Sequence, residues 1–208
     1  MPPLDRSREY ARGCLALADS GAPLCVVDLE LTSPYRDGQP LPLIWSVGAV
    51  RLVGWRIAGQ VSHVVRVGVR LDDRIARLCG VPADVAERSG VDIGVALRDL
   101  STVGDDAVWV GHAIDFHDAP VLREAYAAAG MALPPALAPG AGRKIDTYRL
   151  ARGLLPQPAK GDRSLSLGGL CERFGVDRYG GAMHGALTDA HMCARVLPAL
   201  LALARVRG

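Results

Sequence analysis

Asp28 and Glu30 stand one residue apart in the apolar run Cys25-Val26-Val27-Asp28-Leu29-Glu30-Leu31. A Gly21-Ala22-Pro23 turn before it and Thr32-Ser33-Pro34 after it frame a buried β-strand. On a strand, residues i and i+2 share a face, so the two carboxylates project together while Leu29 enters the core. Acids held side by side repel, and burying them is costly without a cation between them. One or two hard divalent ions with oxygen ligands meet that need. A lone Asp-x-Glu fits a frayed, hydrated strand end equally well, so the pair acquires meaning only from the rest of the chain.

Two further acids supply it. The stretch Gly111-His112-Ala113-Ile114-Asp115-Phe116-His117-Asp118-Ala119-Pro120-Val121-Leu122 leaves a buried strand at Gly111 and enters a helix near Asp118. Asp118 reads as an N-cap, with Pro120 tolerated in the first turn. Its carboxylate would lie beyond the carboxyl end of the strand, where open α/β sheets place ligands. In Met183-His184-Gly185-Ala186-Leu187-Thr188-Asp189-Ala190, Asp189 falls early in the last helix. Met192, Cys193 and Val196 follow at three, four and seven residues, so Asp189 shares the buried stripe, an unusual place for an acid without a partner. His184 precedes that helix in a loop loosened by Gly180 and Gly181. With an ordinary pKa near ~6.5, its imidazole could take a proton near neutral pH.

The elements that must hold these groups are legible in outline. Helical spacing over residues 4–19 predicts an N-terminal helix. Ile44 to Val53 and Gln60 to Val67 read as two strands joined near Gly54 and Gly59, completing a three-stranded antiparallel meander. Short helical periods follow at Ile75–Gly80 and Asp92–Leu100, the latter capped by Asp92 with Val95, Leu97 and Leu100 inward. Then come a strand at Ala107–Val110, a helix from Asp118 to Ala129, a loop from Met131 to Gly142, and a strand at Ile145. Helices from Asp146-Thr147 to about Leu154, from Ser166 to Phe174 and from Ala186 to Leu200 complete the chain. Trp45, Trp55 and Trp109 sit in strand patterns and read as core. The pattern predicts an α/β fold, a mixed sheet of meander plus parallel strands flanked by helices. Residues 1–22 form a helix packed on a single domain, 23–208.

Composition narrows the class. Half of the 208 residues are hydrophobic and the net charge is only +2, which suits a soluble globular protein and excludes a broadly basic surface for gripping duplexes. The five scattered cysteines form no Cys-x-x-Cys pair, so reduced buried thiols and a cytoplasmic location are expected. No signal-peptide pattern opens the chain, and the apolar run Leu197–Ala204 reads as too short to span a bilayer, so no membrane partner is expected.

The order and flanking text of these segments resemble the DnaQ-like exonuclease superfamily in its DEDDh branch. Asp28-Leu29-Glu30 with Thr32, the strand Ile44-Trp45-Ser46-Val47-Gly48-Ala49-Val50, Leu78-Cys79-Gly80-Val81, His112 to Asp118, Ile145-Asp146-Thr147, Ser166-Leu167-Gly168-Gly169-Leu170 and His184 to Asp189 carry the likeness. It implies a ribonuclease H-like fold and a 3′–5′ exonuclease that hydrolyses phosphodiester bonds at single-stranded 3′ ends, releasing nucleoside 5′-monophosphates, with DNA slightly favoured over RNA. Asp28, Glu30, Asp118 and Asp189 would hold two Mg²⁺ or Mn²⁺ ions, and His184 would serve as the base. Leu31, Thr32, His112 and Phe116 would meet the substrate, Tyr35 and Tyr179 being further stacking candidates. Arg143, Lys144, Lys160 and Arg163 are candidate phosphate contacts. A polymerase or a second copy of the chain is left open as partner. Two departures stand out: Ala113 replaces the family's common Asn, and the second motif is one residue longer than its commonest form, which makes Asp115 a rival to Asp118; Asp118 is preferred because it alone opens a helix with Leu122 four residues on. The rival reading is a catalytically silent nucleic-acid or partner-binding module on the same fold.

Overall fold

The structure, a computed structural model, describes residues 3–33, 40–69, 72–73, 82, 84–156, 159, 162–177 and 185–207. Five strands form one sheet in the order β3-β2-β1-β4-β5. β1 (Leu24–Leu31), β2 (Ile44–Val53) and β3 (Arg56–Val64) make the antiparallel meander. β4 (Val108–Gly111) and β5 (Lys144–Asp146) run parallel to β1. This is the mixed, helix-flanked α/β sheet that the sequence predicts.

Alternation along β1 divides the core. Leu24 and Val26 face a layer made by α1 (Pro3–Asp19), α5 (Thr147–Leu154), α6 (Leu167–Phe174) and α7 (Ala186–Arg207). Cys25, Val27 and Leu29 face the opposite layer, with α3 (Ile93–Gly104) and α4 (Asp118–Ala128). A two-sided apolar strand of this kind is expected where helices cover both faces. Asp28 and Glu30 continue the row of Leu24 and Val26, toward α7. A short helix, α2 (Val85–Ser89), and a 3₁₀ turn at Pro135–Leu137 were not anticipated; the turn buries Ala136 and Leu137 inside what reads as a Pro/Ala/Gly-rich loop.

Several boundaries differ for identifiable reasons. The β2–β3 connection is only Gly54-Trp55, both with positive φ (55° and 66°), a tight hairpin turn whose twist suits the flanking strands. β3 therefore begins at Arg56, and Gly59 lies inside it. Trp55 sits on the hairpin tip, 46% exposed, whereas Trp45 and Trp109 are buried as expected. Val95 points outward from α3, and Ala96, Leu97 and Leu100 face the core. Asp92 does cap α3, accepting from the Gly94 amide at 2.8 Å.

Helix α7 runs to Arg207, through Pro198, which lies on its exposed side where the lost amide faces water. At 22 residues it is long and apolar enough, by length and composition, to cross a membrane, against the expectation of too short a run. Its apolar face is occupied by the domain itself: Cys193, Val196, Leu197, Leu200, Leu201 and Ala204 are fully buried. The expected helix at Ile75–Gly80 and the Leu78–Val81 segment lie outside the described residues, as do Tyr35, Tyr179, Lys160 and His184.

Candidate active site

β1 outruns its neighbour. Its pairing with β4 covers only Leu24 to Val26, so the remainder of β1 borders a notch at the carboxyl ends of two parallel strands. Asp28 and Glu30 occupy that border, half-buried, opposite Gly48 and Ser46 of β2.

Two helix starts fill the notch. α7 lays its first turn directly on β2: a Cβ at Gly48 would come within 2.1 Å of Ala186 C and Leu187 N. That contact, possible only at glycine, carries Asp189 to the acid pair. One carboxylate oxygen each from Asp28, Glu30 and Asp189 lie within 4.8 Å of one another. From the other side α4 begins at Asp118, which is 5% exposed. His117, rather than Asp118, is the cap position and makes no side-chain cap bond. Asp118 is the first helical residue, and its carboxyl group accepts from the Leu29 backbone, which ties it to β1.

Electrostatics record the crowding. Burial, followed by the charges of Asp118, Asp189 and Glu30, pushes the Asp28 carboxyl well above the usual carboxylate range. Burial likewise pushes Asp118 up to about 7. Unneutralised, these acids resist ionising together. The donor set is all oxygen, and among the described residues no imidazole or thiol joins it, which fits hard Mg²⁺ or Mn²⁺ better than zinc. Asp115 turns elsewhere: Lys144 Nζ lies 3.6 Å from its carboxylate. The two candidates of the second motif are thus separated, Asp118 into the notch and Asp115 away from it.

The remaining sequence candidates divide between rim and scaffold. Thr32 is bound to Leu43 twice, its amide donating to the Leu43 carbonyl and its Oγ1 accepting from the Leu43 amide, both at 3.0 Å. Leu31 and Thr32 therefore form a fixed, half-buried rim beside Glu30. Phe116 is 62% exposed, an unburied aromatic face close to the notch. His112 is embedded instead. Its Nδ1 lies 3.0 Å from Thr147 Oγ1, its ring meets Tyr148 edge-on at 5.7 Å, and it also bonds the Leu165 backbone. Burial pulls its pKa down to about 4, so the ring is neutral at physiological pH.

Sequence reasoning read Asp146 and Thr147 as a helix start and as part of the family likeness, without a role in the site, yet both are completely buried. Asp146 caps α5 through the Arg149 amide (3.0 Å) and also accepts the amides of Ala113 (3.0 Å) and Asp115 (3.5 Å). It thereby clamps the second-motif turn. Ala113 needs that clamp, because it holds φ at 63°, a left-handed conformation costing a Cβ-bearing residue about 1–2 kcal/mol. The family's Asn would adopt it more readily. Ala113→Gly should therefore stabilise the protein by about 1 kcal/mol net of glycine's added unfolded-state freedom. A melting temperature raised by about 2–4 °C would show it, and a lowered one would mean that the turn is unstrained.

The exonuclease family profile (RNase_T) matches residues 25–197. The chain belongs to that exonuclease family. Solved structures agree on the fold, a ribonuclease H-like α/β sheet. The exonuclease domain aligns with a 3′-exonuclease described in 3′-end recognition of a histone mRNA stem-loop, at 18% identity and a TM-score of 0.65, covering 86% of this chain and 81% of that one. It aligns with E. coli exonuclease I bound to a dT13 oligonucleotide at 17% identity and 0.65, covering 84% of this chain and 40% of that one. Cell-death related nuclease 4 aligns at 13% identity and 0.66, with 86% and 64% covered. The chain thus spans about two fifths of exonuclease I. No curated protein matches it in sequence. α1 precedes the matched stretch of the exonuclease domain.

Proposed function

We propose that the protein is a divalent-metal-dependent 3′–5′ exonuclease that trims single-stranded 3′ ends to nucleoside 5′-monophosphates, with DNA slightly favoured over RNA. The observation that carries this reading is the meeting of Asp28, Glu30 and Asp189 within 4.8 Å, beside the buried Asp118. Four acids drawn from β1, α4 and α7 converge where folding alone would keep like charges apart, which is the signature of a cation site. Two Mg²⁺ or Mn²⁺ ions held there would make a bound water acidic enough to attack phosphorus and would neutralise the departing 3′ oxygen.

The chain's own residues do the rest. Asp28 and Glu30, on a rigid central strand, fix the site against the sheet. Asp118 and Asp189 close it from two helix starts. His184, five residues before Asp189 in sequence, is assigned the removal of the attacking water's proton. Leu31 and Thr32 form the rim against which a terminal nucleotide would rest, and the exposed Phe116 ring offers a face for a base, the sequence-tolerant contact that single strands favour. His112 is a poor base, because its Nδ1 is engaged by Thr147 Oγ1 and burial, by pulling its pKa down to about 4, leaves it little affinity for a proton.

The test uses 5′-labelled single-stranded and duplex DNA and RNA with Mg²⁺, Mn²⁺ or EDTA, beside His184→Ala. The expected result is a ladder shortening from the 3′ end, fastest on single strands, absent in EDTA and slowed about 10²–10⁴-fold in the variant, the usual contribution of a general base. Internal cuts, or cleavage indifferent to EDTA, would refute the proposal; no cleavage together with no Mn²⁺ binding would favour the silent module.

A further inference from the structure

Helix α1 lies before the family-matched residues 25–197, yet a continuous chain of hydrogen bonds runs from it to the start of α4. Among the described residues β5 is an edge strand of the sheet. The β4–β5 ladder uses the Arg143 carbonyl, which accepts from the Trp109 amide, so alternation turns the Asp146 amide outward, toward α1. Tyr10 Oη accepts that amide at 2.7 Å, and the hydroxyl also bonds the Cys14 side chain one helical turn on. The Arg149 guanidinium lies 3.9 Å over the Tyr10 ring. Tyr10 therefore holds both the cap residue and the first turn of α5.

From Asp146 the chain continues. Its carboxylate accepts the Ala113 and Asp115 amides. The Ala113 carbonyl accepts from Phe116 (2.9 Å) and His117 (3.0 Å), and the Ile114 carbonyl accepts from Ala119 (2.9 Å). Asp118 sits inside that last loop of bonds, so its direction depends on where Ala113 is held. Ala113 is also the one link in an unfavourable backbone conformation (φ 63°), and so the link that moves when its support is withdrawn.

We propose that α1 is a working part of the site, with Tyr10 the positioning residue that aims Asp118 through Asp146 and the Ala113 turn. The proposal rests on Asp118 serving as a metal ligand. α1 is thus an element added before the exonuclease domain that presets the geometry of the second motif.

Tyr10→Phe removes the hydroxyl and keeps the ring beneath Arg149. Tyr126→Phe is the matched control, since Tyr126 is buried toward the other end of α4 and donates to the Leu97 carbonyl at 2.9 Å. At a temperature well below both melting points, Tyr10→Phe should lower kcat about five- to thirtyfold on single-stranded DNA with Mn²⁺, leave KM within about twofold, and raise the Mn²⁺ midpoint, as a small misplacement of one ligand would. Its Ala113 and Asp115 amides should exchange with solvent about tenfold faster or more. Tyr126→Phe should change none of these. Adding Ala113→Gly to Tyr10→Phe should restore most of kcat, because the turn then holds its shape unaided. Wild-type kcat and exchange in Tyr10→Phe, or an equal loss in Tyr126→Phe, would overturn the proposal. If the wild type cuts no substrate, the exonuclease reading falls, and the exchange rates and Mn²⁺ midpoint still decide the role of Tyr10.

Discussion

Asp28→Asn is expected to abolish cleavage, by roughly a thousandfold or more on the scale of single groups that act on a transition state, while making the metal-free protein more stable at pH 8. The two effects share one cause. Burial and the charges of Asp118, Asp189 and Glu30 push the Asp28 carboxyl up, and Asp118 is pushed up to about 7. A carboxyl whose pKa is higher folded than unfolded holds its proton more tightly in the native state. Between about pH 4 and 7 the folded chain then binds more protons than the unfolded one, so stability falls as pH rises through that window. Metal-free wild type should melt several degrees lower at pH 8 than at pH 5.5. Asparagine has the same shape without the charge. Removing the charge relieves that repulsion and burial cost, so the melting temperature at pH 8 should rise by several degrees. Mn²⁺ at about a hundred times its dissociation constant should stabilise wild type by about 2.7 kcal/mol and leave Asp28→Asn nearly unmoved. A variant no more stable than wild type without metal, or one that Mn²⁺ stabilises equally, would show that these acids do not form a cation site.

How the site could be read in the sequence follows from the range of each signal. Asp28 and Glu30 were legible because their shared face is a property of one strand with period two. Asp189 was legible because the buried stripe of α7 can be counted along one helix. Asp118 was found at a helix boundary, although its role as a cap was a misreading: capping explains an acid at that position locally, and only the tertiary structure shows its carboxyl group drawn to Leu29. Asp146 carried a local signal, the cap of α5, which concealed its second task of clamping Ala113 across thirty-odd residues. Tyr10 looked like any half-buried aromatic on an amphipathic helix, since its partner lies at the far edge of the sheet. Trp55 misled because a strand pattern interrupted by only two residues gives little sign of which of them occupies the turn. Apart from Trp55, each miss is a contact between elements, and such contacts leave no period in the chain.

Gly48→Ala should lose at least about a hundredfold in activity although it adds a single methyl group. Gly48 faces Asp28 across the β1–β2 ladder, and a Cβ there would lie 2.1 Å from both Ala186 C and Leu187 N and 2.4 Å from Ala186 O. Carbon atoms pack at about 3.5–4.0 Å, and the opposing atoms are backbone, so no side-chain rotation can make room. Either β2 or the first turn of α7 must retreat by more than about 1 Å. β2 is hydrogen-bonded on both sides, to β1 and β3, so α7 is the element that yields. The buried face of α7 from Cys193 to Ala204 remains in the core, which limits the stability cost to about 1–3 kcal/mol, typical of overpacking. The displacement falls at the end that carries Asp189. An ångström of misplacement at a reacting group is enough for a loss of about 10² in rate, and Mn²⁺ affinity should weaken with it. The informative comparison is activity at 20 °C, below the melting transition of the variant, together with a Mn²⁺ titration. Near-normal turnover with an unchanged midpoint would mean that α7 is not set by its seat on β2, and that the meeting of Asp189 with Asp28 and Glu30 has another cause.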